Sequence, residues 1–246
     1  MNWSVFKRVI PNLLTMLGLC GGIIAIRFSI DNCFKEAVIS LVFSAIIDGL
    51  DGRIARILNG STKFGAQFDS LSDFLCFGVG PAFLLYYWSL QGGGRYAFLP
   101  CIIFTVCMAL RLARFNSHLE DNFLSNYASN FFVGVPAPAG AGLALFPIFL
   151  GLESQKLKID WLYQLTRQPW ISSIILVCTA LLLVSTLPIW SCKKTKIKRK
   201  YLFVILVSFL LYLALVIFQP WATFAFSGII YLILIPFSYY KFLKLK

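Results

Sequence analysis

Apolar segments of membrane-spanning length follow one another along almost the whole of this chain. A helix crossing a bilayer needs roughly 20 mostly apolar residues. Eight such stretches can be drawn, at about 11–30, 34–56, 64–90, 96–115, 131–150, 170–190, 201–218 and 222–240. Backbone polar groups in hydrocarbon must be satisfied within the protein, and segments of this length do so as helices. The chain is therefore expected to be an all-α integral membrane protein, a polytopic bundle of about eight transmembrane helices. Charged residues make up 13% of it, where a soluble domain carries about a quarter. The longest connections, 116–130 and 151–169, are too short to fold separately, so residues 1–246 are read as one membrane domain.

A net charge of +12 could suggest nucleic acid, but the basic residues crowd at the ends of apolar segments, as the positive-inside rule expects. With the N-terminus in the cytoplasm and the spans alternating, that side receives Lys7, Arg8, Arg53, Arg56, Lys63, Arg111, Arg114, the six cations within Lys193–Lys200, Lys241, Lys244 and Lys246. Those are sixteen of the 22. Both termini are expected to be cytoplasmic, with membrane lipids as partners and no nucleic acid. Met1–Ile10 is amphipathic and reads as a short interfacial helix before Pro11 and Asn12 open the first span. The seven cysteines show no metal spacing and read as small apolar packing residues. His118 has no ligand or nucleophile nearby and reads as a solvated loop residue.

Four of the ten acidic residues, Asp48, Asp51, Asp69 and Asp73, fall within or beside apolar helices. A carboxylate there is expensive unless hydrated, paired or metal-bound, which makes it a functional candidate. Asp48, Asp51, Gly52, Ala55 and Arg56 share one face of a helix, and Gly65, Asp69 and Asp73 share one face of the next. A tight turn, Leu58–Phe64, brings those faces together. Four convergent carboxylates cannot all ionise without compensating cations. Oxygen-only ligands suit one or two ions of Mg²⁺ or Mn²⁺, with Ca²⁺ also accommodated, better than zinc. An ion-pair cluster with Arg53 or Arg56 is the alternative, and a cation transporter using the aspartates as an ion path is a remote one.

The pattern Asp48-x2-Asp51-Gly52-x2-Ala55-Arg56-x8-Gly65-x3-Asp69-x3-Asp73 resembles the signature of the CDP-alcohol phosphatidyltransferase family, and Pro11-Asn12-x2-Thr15 resembles its first-helix motif. Phe77-Gly78-Val79-Gly80-Pro81-Ala82, Arg111-Leu112-Ala113-Arg114-Phe115-Asn116 and Phe132-x-Gly134-Val135-Pro136-x-Pro138-Ala139 are similar to motifs of the branch that makes phosphatidylserine. Cys76 and Gly80 depart from it, standing where that branch often has Ser and Ala.

The resemblance implies transfer of the phosphatidyl group of CDP-diacylglycerol to L-serine, with another alcohol (glycerol 3-phosphate or an inositol phosphate) as the alternative acceptor. It implies that Asp48, Asp51 and Asp69 hold divalent metal, and that Asp73 is the general base and a possible further ligand. Asn12, Thr15, Gly52, Arg56, Thr62 and Gly65 would meet CDP-diacylglycerol. It also implies a homodimer whose site opens to the cytoplasm, with a catalytic core in residues 1–150 and additional transmembrane helices over 170–240. Arg111 and Arg114 end a cytoplasm-facing span. They are candidates for binding a phosphate or the acceptor carboxylate, with topogenic anchoring as the alternative.

Overall fold

The computed structural model describes residues 3–58, 60, 62–120, 131–190 and 199–245. Among these residues ten helices run in order: α1 (Trp3–Ile30), α2 (Phe34–Ile57), α3 (Lys63–Leu90), α4 (Leu99–Glu120), α5 (Ala137–Ala144), α6 (Phe146–Leu157), α7 (Asp160–Thr166), α8 (Pro169–Val184), α9 (Arg199–Phe218) and α10 (Pro220–Leu245). Among the described residues the one non-helical pairing is a ribbon in which β1 (Phe131–Val133) runs antiparallel to β2 (Pro188–Trp190), Phe132 opposite Ile189. The fold is an all-α membrane bundle.

Among the described residues four helical segments are long and apolar enough to cross a membrane: Val9–Ile30, Lys63–Leu90, Leu99–Ser117 and Pro220–Ser238. The bent pairs α5–α6 and α7–α8 raise this to six if each pair is one span. The other two expected segments are α2, 24 residues long but carrying the signature charges, and α9, whose apolar part is Phe203–Phe218.

Several boundaries differ from the sequence expectation, and prolines account for two of them. The expected 131–150 span begins instead at Ala137 and bends by 46° at Leu145, where Pro147 removes a backbone donor. The chain expected to link residues 151 and 169 is largely helical. It bends by 56° before Pro169, and Gln168 takes the extended conformation (φ −73°, ψ 124°) that a following proline imposes. Pro11 does not separate an interfacial helix from the first span, because α1 runs continuously through it. Helix α4 likewise extends to Glu120, so the backbone at His118 is helical rather than loop; its side chain lies outside the described residues. The cluster Lys193–Lys198 also lies outside them.

Small residues let α1 approach the signature helices closely. A Cβ on Gly21 would stand 2.5 Å from the Ser44 hydroxyl of α2, and one on Gly22 would stand 2.7 Å from the Cys76 sulfur of α3. The Ser44 hydroxyl donates to the Gly18 carbonyl at 2.8 Å, pinning α2 to α1. Below this layer sits the core, centred on Leu84, Leu85, Trp88, Phe104, Met108, Leu176 and Leu183, all essentially inaccessible. At the end remote from the signature, Arg167 lies 3.9 Å over the Trp88 ring. Large apolar side chains of α9 face outward along most of its length, as a helix bathed in lipid would.

Helix α3 is not uniform. Just after Asp73 it widens into π-helical geometry over Phe74–Val79, and again over Tyr86–Leu90. Such segments recur at functional sites.

Candidate functional site

Helices α2 and α3 run antiparallel around their short turn, and their carboxylates converge as the 3.6-residue spacing requires. One ligand oxygen each from Asp48, Asp51 and Asp69 lies within 4.8 Å of the others. Oxygens bound to one ion at 2.0–2.6 Å can be at most about 5 Å apart, so this spacing fits a shared hard cation. Asp51 is buried at 3% exposure. Oδ1 of Asp69 is buried with no hydrogen-bond partner, an arrangement that burial disfavours unless something fills its place.

The ion-pair alternative does not form among the described residues. Among the described residues the one ion pair is Arg27–Asp31, at 3.2 Å and far from the cluster. Arg53 and Arg56 are exposed, and Arg56 donates through Nε to the Gly52 carbonyl of its own helix at 3.0 Å. Among the described residues the three carboxylates therefore converge with no protein cation between them. Asp73 lies outside that group of three, with its carboxyl against that of Asp48.

Beside the carboxylates opens a cleft of about 160 Å³, lined by Asn12 and Thr15 of α1, Asp51 and Gly52 of α2, and Thr62, Gly65 and Asp69 at the start of α3. Thr62 caps α3, its hydroxyl accepting from the Gly65 N–H at 2.9 Å. The N-terminus of α3 thus faces the cleft, with the positive end of its dipole suited to an anion. No atom lies within 4 Å of where a Gly52 Cβ would be, which leaves open space there. Gly65 is different, because a Cβ would meet the Asn12 Oδ1 at 2.9 Å and the Thr62 Oγ1 at 3.1 Å. Its missing side chain makes room for Asn12. Arg56 is not among the lining residues.

Thr15 spends its proton on a carboxylate. Its hydroxyl donates to Asp51 Oδ2 at 2.7 Å, and both residues are buried. Thr15, grouped by its sequence motif with the donor contacts, lines the cleft and also supports a carboxylate through this bond. Also unforeseen is the Asn116–Ser70 pair, in which Asn116 Nδ2 donates to Ser70 Oγ at 2.9 Å. It clips α4 to α3 one residue beyond Asp69. Asn116 closes the Arg111–Asn116 motif, and that was the available signal.

The two arginines of that motif do different things. Arg114 donates to the carbonyls of Val184 at 3.0 Å, Ser185 at 3.3 Å and Leu183 at 3.5 Å, closing the C-terminal end of α8. Gly134 (φ +76°) makes this possible, since a Cβ there would stand 2.7 Å from the Ser185 carbonyl and 3.2 Å from Arg114 itself. Arg111 spends only its Nε, on the Val135 carbonyl at 2.6 Å, and interacts electrostatically with Asp73.

Against known proteins, residues 8–184 match the model of the CDP-alcohol phosphatidyltransferase family. A Mycobacterium leprae protein named CDP-diacylglycerol–serine O-phosphatidyltransferase is 34% identical over 238 residues, covering 96% of this chain and 76% of its own length. A Helicobacter pylori protein of the same name is 34% identical over 210 residues, covering 85% and 82%. An archaetidylserine synthase of Methanothermobacter thermautotrophicus is 37% identical over 137 residues, 54% of each chain. With the signature carboxylates gathered on two facing helices and the family match spanning most of the bundle, the chain belongs to the CDP-alcohol phosphatidyltransferase family.

Proposed function

We propose that this protein transfers the phosphatidyl group of CDP-diacylglycerol to the hydroxyl of L-serine, giving phosphatidylserine and CMP. The observation that carries the reading is the unpaired triad Asp48, Asp51 and Asp69 beside a cleft lined by the signature residues. Relatives named for serine transfer align with 96% of the chain. Asp48, Asp51 and Asp69 would hold a divalent ion, Mg²⁺ or Mn²⁺, which when bound neutralises diphosphate and leaving-group charge.

The protein's own residues bind, orient and move the proton. Asn12, Gly52, Thr62 and Gly65 shape the cleft for the donor headgroup, with the open side of Gly52 admitting it closely and Arg56 meeting it from outside. Thr15 acts through Asp51. The serine hydroxyl is a weak nucleophile and needs a base within reach. Asp73, beside Asp48 but outside the triad, accepts that proton. The serine oxygen forms a bond to the phosphorus carrying the diacylglycerol, and the bond from that phosphorus to the CMP oxygen breaks. Asn116 and Ser70 hold α4 against α3, and Arg111 interacts electrostatically with Asp73.

The same reading puts both termini and the cleft on the cytoplasmic side and takes the working unit to be a homodimer. The catalytic core lies in residues 1–150, with further transmembrane helices over 170–240. Purified protein incubated with CDP-diacylglycerol, Mg²⁺ or Mn²⁺, and labelled serine, glycerol 3-phosphate or inositol phosphate in turn tests the reaction. Phosphatidylserine and CMP in equal amounts are expected. Label entering lipid from one of the phosphorylated alcohols, with serine inert, would refute the acceptor.

A further inference from the structure

The last helix brings a polar group to the site that neither the signature nor the family match includes. Tyr231 of α10 has its hydroxyl buried without a hydrogen-bond partner. A buried tyrosine hydroxyl ordinarily finds one. It interacts electrostatically with Arg111, which interacts in the same way with Asp73. Arg111 uses only Nε, on Val135, so its two terminal nitrogens have no hydrogen-bond or ion-pair partner among the described residues. Tyr231 also lines a cavity of about 410 Å³, together with Cys76 and Phe77 of α3 and Pro138 and Ala139 of α5. Cys76 and Phe77 follow Asp73 by one turn. The cavity walls are mostly apolar and include neither Arg111 nor Asp73; in such surroundings a hydrogen bond to an anion is stronger than in water.

The geometry points to a subsite in which Tyr231 and Arg111 together bind the carboxylate of the acceptor, which makes Tyr231 a specificity-determining residue; this rests on serine being the acceptor. Two free guanidinium nitrogens and one hydroxyl are all donors, and a flat two-oxygen anion accepts from such a fork. One guanidinium and a neutral hydroxyl match a monoanion better than the dianionic phosphate of a phosphorylated alcohol. Held there, serine would present its hydroxyl, separated from the carboxylate by Cα and Cβ, toward Asp73. Tyr231 lies beyond residues 8–184, the part matched by the family as a whole. That placement suits a residue that chooses the acceptor rather than one that runs the shared chemistry.

A cycle in which protein and substrate are both altered tests the subsite. Wild type and Tyr231→Phe are compared on serine and on serinol, the amino alcohol in which a hydroxymethyl group replaces the carboxylate. If the hydroxyl grips the carboxylate, Tyr231→Phe lowers kcat/KM for serine by roughly 10- to 100-fold, the range for a hydrogen bond to a charged group. The loss should appear mainly in KM. The slow reaction with serinol and the KM for CDP-diacylglycerol should be unchanged, which also shows that the variant is folded. Equal losses on serine and serinol, an unchanged serine KM, or a raised KM for CDP-diacylglycerol would each overturn the subsite. Wild type that uses serine while Tyr231→Phe behaves normally removes Tyr231 alone. Wild type that ignores serine removes the acceptor reading and the subsite with it.

Discussion

Replacing Thr15 by valine should weaken metal binding without disturbing the fold. The Thr15 hydroxyl lies 2.7 Å from Asp51 Oδ2 and 3.1 Å from the Pro11 carbonyl, and its single proton cannot serve both. The shorter contact to the stronger acceptor takes it, at a length usual for a hydroxyl on a carboxylate. Thr15 is 5% exposed and Asp51 3%, so water from the cleft is a poor substitute for the hydroxyl. Valine keeps the branched shape that packs α1 on α2 but offers Asp51 a methyl group. Hydrogen bonds to charged groups contribute about 1.5–3 kcal/mol. Loss of a partner that orients a metal ligand typically costs about 10- to 100-fold in affinity, or roughly 1.4–2.8 kcal/mol. The two ranges agree. Mn²⁺ binding to purified protein, followed by the magnetic resonance signal of the free ion, reads the effect without turnover. Thr15→Val should raise the Mn²⁺ Kd by about 10- to 100-fold, whereas Thr15→Ser should stay close to wild type. An unchanged Kd accompanied by a higher KM for CDP-diacylglycerol would refute the reasoning, since Thr15 would then touch the donor itself.

Chelation should abolish transfer and added Mg²⁺ or Mn²⁺ restore it; full turnover in chelated buffer would count against metal held by Asp48, Asp51 and Asp69. Asp73→Asn should lower single-turnover rates by about 10² to 10⁴, the usual contribution of a positioned base, and leave donor affinity largely intact. Asp51→Asn should reduce both, and a matching pattern in the two variants would make Asp73 another ligand. Arg114→Lys should lower the melting temperature with little change in KM, because its guanidinium spans three carbonyls at the end of α8 and an ammonium cannot reproduce that fork. Arg111→Lys should instead raise the KM for the acceptor, and the reverse assignment of the two effects would show the roles exchanged.

What could be read in the sequence was whatever repeats locally. Apolar length gave the helical class, and the i, i+3, i+4 spacing gave the shared faces of Asp48, Asp51 and Asp69 with no knowledge of the partner helices. Contacts that depend on how distant helices dock were out of reach. Thr15 is 36 positions from Asp51, and nothing in α1 states its rotational setting on α2. The Arg111-x2-Arg114 pair looked uniform because both residues share a helix end. Only the arrival of Ser185 and its neighbours, some 70 positions on, separates an arginine that closes a helix from one that spends its Nε alone among the described residues. Tyr231 carried no signal at all, standing in an aromatic-rich span where a tyrosine is unremarked. The bends at Leu145 and before Pro169 were signalled by their prolines, but proline marks where a helix can break rather than whether the membrane-spanning path continues beyond it.

The π-helical stretch that begins at Phe74 makes α3 two rotors on one shaft. In an α-helix each residue advances the azimuth by roughly 100°; the wider turn absorbs one surplus residue, so the half bearing Asp69 and Asp73 and the half bearing Leu84, Leu85 and Trp88 are phased independently. If Phe74–Val79 took continuous α geometry with no residue removed, one half would swing relative to the other by about a quarter-turn. Either the carboxylates would rotate away from Asp48 and Asp51 or Trp88 would rotate out of the core. The wide turn, more than the identity of any side chain in that stretch, is what keeps the chemistry and the core in step.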